Sequence, residues 1–178
     1  PDTDSSNDVF DGVKFSGTFD GGGYVIRNLA IDTVGADGDY LGLFGFLEGG
    51  GREVVTNLGL VGGAVTGGAG SRYLGALCGY NWSGTIDGCH ATVAVSGGAG
   101  SQGVGGLCGT NWMGTLVGCY ATGTVSGGAN SKYVGGLCGE NTSDLYGYPG
   151  AVIQNCYATG AVSAGDGSAS VGGLCGDN

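Results

Sequence analysis

One six-residue phrase occurs four times in the chain, as Leu74-Gly75-Ala76-Leu77-Cys78-Gly79, Val104-Gly105-Gly106-Leu107-Cys108-Gly109, Val134-Gly135-Gly136-Leu137-Cys138-Gly139 and Val171-Gly172-Gly173-Leu174-Cys175-Gly176, at offsets of 30, 30 and 37 residues. A second phrase follows each of the first three at the same spacing: Gly88-Cys89-His90-Ala91-Thr92, Gly118-Cys119-Tyr120-Ala121-Thr122 and Asn155-Cys156-Tyr157-Ala158-Thr159. Within it, Cys and Ala alternate with Tyr and Thr, the period of two of a half-buried strand. A unit this short cannot bury its own apolar face, whereas stacked copies bury a continuous core and pair their backbones from one level to the next. The expectation is an all-β chain, a parallel β-solenoid of roughly five coils of about 30 residues each. A β-propeller is the rival, but its blades need more residues and several antiparallel strands.

The N-terminal third reads as diverged copies. Leu41-Gly42-Leu43-Phe44-Gly45 matches the first phrase, and Ile26-Arg27-Asn28-Leu29 and Thr56-Asn57-Leu58-Gly59 match the second. Residues 1–14 form an N-terminal extension or cap and 15–178 the array. The longer third interval is assigned to a loop insertion near 142–151, around Ser143-Asp144-Leu145-Tyr146-Gly147-Tyr148-Pro149-Gly150, because Pro and Gly interrupt regular structure. The 45 glycines belong to this pattern, since 41% of the residues are hydrophobic and recur in register. Sharp corners need positive φ, and narrow coils bring backbones too close for side chains.

The formal net charge of −10 repels phosphate backbones and anionic lipid, so neither nucleic acid nor membrane insertion is expected. No apolar run reaches bilayer length. The chain opens on the polar stretch Pro1-Asp2-Thr3-Asp4-Ser5-Ser6-Asn7-Asp8 rather than a signal peptide, which places any export signal or anchor outside this segment.

The phrase Val-Gly-Gly-Leu-x-Gly-x-Asn, followed by Asn-Cys-Tyr-Ala-Thr-Gly-x-Val-Ser, resembles the GLUG repeat of bacterial surface adhesins and of non-catalytic regions of secreted IgA-type peptidases. Residues Phe15 to Leu29 are similar to the segment that commonly introduces such arrays. The resemblance covers 15–178 and implies a secreted or cell-surface location. It departs from the family at Cys78, Cys108, Cys138 and Cys175, where an aliphatic residue is more usual.

The seven cysteines fall into two columns, Cys78, Cys108, Cys138 and Cys175 in the first phrase and Cys89, Cys119 and Cys156 in the second. Phe44 replaces cysteine in the first column and Leu58 and Leu29 in the second, so both are core positions where a free Cys acts as a small hydrophobe. Because complete coils have cysteine at both positions or at neither, disulfides across the coil interior are expected: Cys78 to Cys89, Cys108 to Cys119 and Cys138 to Cys156. Cys175 is left unpaired or intermolecular. Stacked free thiols are the alternative, and a disulfide set would fit an oxidising compartment. Zinc is disfavoured, since the cysteines lack paired C-x-x-C spacing and the chain has one His.

Asn81, Asn111, Asn141 and Asn178 follow the first phrase at a fixed offset and are expected to form a structural ladder at one corner. Trp82 and Trp112 stand beside that corner. With His90, Tyr120 and Tyr157, which alternate with inward cysteines, they make up the candidate ligand face. Asp32, Asp37 and Asp39 lie in a Gly-rich loop where calcium is conceivable, but no calcium-binding motif is present and no cofactor is expected. No catalytic residue is identified: His90 is matched by tyrosines in the next copies and has no nucleophile context, so the chain reads as no enzyme.

The leading expectation is therefore a structural or adhesive repeat module contacting a host or surface glycan or protein. Two alternatives stand beside it: a fibre subunit stacking through open solenoid ends, suggested by the uncapped core phrase at Val171–Asn178, and a glycan-binding module.

Overall fold

The computed structural model describes residues 9–49, 54–143 and 150–178. Among them there is no helix, and every paired strand runs parallel to its neighbours. The chain winds through four faces per coil. Face I comprises Thr18–Asp20, Val54–Thr56, Thr85–Asp87, Thr115–Val117 and Val152–Gln154. Face II is one long strand in the first two coils, Val25–Asp32 and Gly59–Thr66, and two short ones in each later coil, as in His90–Ala91 with Ala94–Ser96. Face III contains Asp39–Leu41, Arg72–Gly75, Gln102–Gly105, Lys132–Gly135 and Ala169–Gly172, and face IV contains Phe44–Glu48, Cys78–Trp82, Cys108–Trp112, Cys138–Thr142 and Cys175–Asp177. Five rungs linked by four steps thus make a β-solenoid.

Stacking is in register, so equivalent residues form vertical files. Val55, Ile86 and Leu116 line face I, Val65, Val95 and Val125 face II, and Leu74, Val104 and Val134 face III, all with at most 1% exposure. Leu77, Leu107 and Leu137 fill the corner between faces III and IV, where the ladder continues outside the strands: Leu77 N–H donates to Leu107 C=O at 3.0 Å and Leu107 N–H to Leu137 C=O at 2.9 Å. Each such fully buried aliphatic side chain contributes about 1.5–3 kcal/mol by leaving water, which is what holds coil on coil.

Corners recur as files too. Gly70, Gly100, Asn130 and Gly167 occupy one turn with φ between 58° and 80°, the left-handed region in which Gly is unstrained and Asn is tolerated. A second file is unusual. Tyr40, Tyr73, Tyr133 and Ser170 share this conformation with Gly103, at φ from 54° to 65°, and the bend lets the residues on either side pair in register while their own side chains leave the ladder.

The first coil fits the array with one change of register. Leu41 pairs with Leu74 and Phe44 with Cys78, as the first phrase predicts. Leu29, however, pairs with Gly63 and not with Leu58; the second column ends at Leu58, and Tyr24 stands at that level. The reason is that the corner of this coil comes earlier, at Gly22 and Gly23 with φ of 59° and 77°, so Leu29 falls inside the strand Val25–Asp32. Before the array, Phe10 is buried between Tyr40 and Phe46, with ring centroids 5.1 and 5.5 Å away, and Phe15 forms a parallel bridge with Leu47. The expected insertion falls largely on 144–149, outside the described residues; Val152–Gln154 resumes the ladder on Thr115–Val117.

Candidate functional site

The interior polar spine is built by Asn81, Asn111, Asn141 and Asn178. Each amide nitrogen donates to the carbonyl oxygen of the next asparagine at 2.7 Å, through all three steps. The same nitrogens of Asn81 and Asn111 donate to Gly84 and Gly114 C=O at 3.0 Å, and Gly84 N–H donates back to Asn81 Oδ1 at 3.1 Å. Buried amides are thereby satisfied, and the turn after face IV is fixed. The file begins on Leu47, paired with Asn81.

The cysteines form vertical files, and all seven are free. The expected in-coil bonds Cys78 to Cys89, Cys108 to Cys119 and Cys138 to Cys156 are not present. The physical reason is the register: Cys78, Cys108, Cys138 and Cys175 are direct partners between rungs, each opening a face IV strand, whereas the second cysteine of every in-coil pairing lies beyond that strand and the face I strand after it. In the second file each thiol donates to a carbonyl one rung below: Cys89 to Val55 at 3.5 Å, Cys119 to Ile86 at 3.4 Å and Cys156 to Leu116 at 3.5 Å. Burial pushes Cys89 up to about 11, and burial together with the Cys108 thiol holds Cys138 well above the ordinary thiol range. Cys89 and Cys138 are therefore held as protonated thiols at neutral pH.

Outside, His90, Tyr120 and Tyr157 stack on face II with centroids 4.7 and 4.9 Å apart and ring planes within 7°. Gly59 completes the file below, since a methyl there would collide with the His90 ring. Both faces of the Tyr120 ring are covered by this stack, whereas Tyr157 at its end is stacked on one face and 51% exposed. Trp82 and Trp112 pair in register on face IV, and hence do not share a surface with that column. Trp82 is 41% exposed and makes an edge contact with Phe46 at 6.1 Å; it forms no stacked platform with Trp112.

A second buried cluster, which the repeat phrases did not single out, lies outside the main core where faces III and IV meet. Phe10, Tyr40 and Phe46 pack with Tyr73 and Tyr80, and burial raises the pKa of both Tyr73 and Tyr80. The same outward file continues through Thr110 to Glu140, with Thr110 Oγ1 donating to Glu140 Oε2 at 3.3 Å. Burial raises the Glu140 pKa. The signal was available, because Phe46, Tyr80, Thr110 and Glu140 each stand two residues after a member of the first column. Of the three aspartates considered for calcium, Asp39 is committed to Arg72, whose Nη2 donates at 2.6 Å and whose backbone N–H donates at 2.9 Å, while Asp32 Oδ1 accepts from Val34 N–H at 2.7 Å.

Residues 70–96, 100–126 and 130–163 match the GLUG motif. No curated protein and no solved structure matches the chain.

Proposed function

We propose, because the chain belongs to the GLUG-repeat family and its interior is closed by packed files, that it serves as a non-catalytic, rigid structural or adhesive module of a secreted or cell-surface bacterial protein. The observation that carries this reading is the continuity of the files: among the described residues, the hydrophobic core and the asparagine spine run through successive rungs. A solenoid of this kind spans distance and transmits load between its ends, because each coil is held to the next by both backbone ladders and side-chain files. Extracellular repeat proteins are where GLUG motifs are known, which supports the location.

Contacts with a host or surface glycan or protein would fall on the outward tips of Tyr120 and Tyr157 and on Thr92, Thr122 and Thr159 beside them. Sugar stacking on Tyr120 is disfavoured, since His90 and Tyr157 already cover its two faces. The experiment is protease shaving of intact source cells, with the released peptides identified by mass spectrometry. Peptides of this chain in the shaved fraction support the reading. Their recovery only after lysis, with surface markers released normally, overturns it.

A further inference from the structure

The second thiol file ends in a pair whose members differ in access. Cys119 is buried, whereas Cys156, one rung above, is only partly covered. The Cys119 backbone N–H donates to Cys156 Sγ at 3.3 Å, which sets the sulfur directly over its neighbour. Both cysteines sit at a corner outside the strands, each following a residue with positive φ, Gly118 at 60° and Asn155 at 54°. Partners in adjacent parallel rungs lie about 4.8 Å apart, inside the roughly 4.4–6.8 Å Cα separation that a disulfide spans. Corner positions also have more freedom to adjust their side chains than residues locked in a ladder.

We propose that Cys156 and Cys119 are a thiol–disulfide exchange pair that closes an inter-coil disulfide when the protein meets a small-molecule disulfide. The Cys156 thiolate attacks one sulfur of RSSR, forming a mixed disulfide and releasing RS⁻. Cys119, losing its proton to solvent, then attacks Cys156 Sγ and expels the second RS⁻. In sum, two cysteine thiols are oxidised to one disulfide and RSSR is reduced to two RSH. Hydrogen bonding from Cys119 pulls Cys156 down to about 6, which favours it as the attacking group, while the same contact raises Cys119.

The other file offers a contrast. Cys175 is also partly covered and stands over Cys138, and its thiol donates to Asp177 C=O at 2.8 Å as that of Cys156 does to Gln154 C=O at 3.2 Å, but Cys175 opens a face IV strand whereas Cys156 lies at a corner. Its contact with Cys138 raises its pKa, so it is kept protonated. Exchange is therefore directed to the corner file.

The test uses the 178-residue chain, reduced and then incubated with oxidised glutathione at neutral pH. After acid quenching, pepsin digestion without reductant and mass spectrometry, the expected product is a Cys119–Cys156 linked peptide. A Cys138–Cys175 or Cys89–Cys119 link as the main product overturns the proposal, as does glutathione remaining on Cys156 with no link. In Cys119→Val, the reaction should stop at the glutathione adduct of Cys156, formed more slowly than in the wild type because the hydrogen bond from the Cys119 thiol is gone. Should that variant fail to fold, native-state alkylation decides: Cys156 reacts at least about tenfold faster than Cys89 and Cys138, and equal rates contradict the assignment.

Discussion

Asn111 donates its side-chain amide to Asn141 at 2.7 Å while accepting from Asn81 at the same distance, so one residue joins three successive coils. Replacing it with leucine tests how much of the stacking this spine supports. Asn111→Leu leaves the Gly114 carbonyl and the Asn141 carbonyl oxygen without their donor in a buried site, a loss on the order of 3 kcal/mol. Urea titration should show the midpoint fall with little change in slope. A loss below about 0.5 kcal/mol would mean that the spine is an ornament of the packing.

Glycines in this chain are of two physical kinds, and substitution separates them. A methyl on Gly105 would collide with the backbone of Cys108 and of the rung above at Gly139 and Cys138, so Gly105→Ala should cost roughly 1–3 kcal/mol or more through overpacking. Gly100 faces open space at φ 74°, and the equivalent place in the next coil is taken by Asn130 at φ 58°. Gly100→Asn should change stability by no more than about 1 kcal/mol, since Asn tolerates this region. Thermal unfolding of the two variants checks the order.

These contrasts show what the sequence made legible. The repeat at Val104–Gly109 and Val134–Gly139 was enough to predict the solenoid, because a period of this length with in-phase apolar residues has few other solutions. The ladder of Asn81, Asn111, Asn141 and Asn178 was likewise readable from spacing. Disulfide pairing was not: joint replacement at Cys78 and Cys89 tells that two positions vary together, but direction across or along the axis depends on corner geometry. Leu29 was misaligned for a related reason, since the earlier corner at Gly22 and Gly23 moves its register by five residues relative to a Leu58 match. The aromatic cluster of Phe10, Tyr40, Phe46, Tyr73 and Tyr80 escaped notice because its members belong to different phrases and meet only when two outward files adjoin.

The aromatic column on face II should also carry stability. Tyr120 stacks on both His90 and Tyr157. At about 0.5–1.5 kcal/mol per aromatic pair, Tyr120→Ala should cost about 1–3 kcal/mol. Tyr157→Ala, which removes one described stack, should cost less. Equal losses in calorimetry would contradict the stack as the source.

Glu140 gives a pH signature. Burial raises its folded pKa above the unfolded value of about 4.5, so the native state binds the proton more tightly, and stability contributed by the protonated form falls as pH rises through that window. Glu140→Gln keeps an acceptor for Thr110 and removes the buried charge. The variant should melt above the wild type at pH 7, and the gap should close as pH falls below 4.5. A gap independent of pH would assign the effect to something other than ionisation.

The vertical register of the coils is tested most directly by nuclear Overhauser contacts of the Asn111 side-chain amide in the folded protein. The account predicts contacts to the side chains of both Asn81 and Asn141, with amide protons slow to exchange with solvent. Contacts to neither, with rapid exchange, would contradict it.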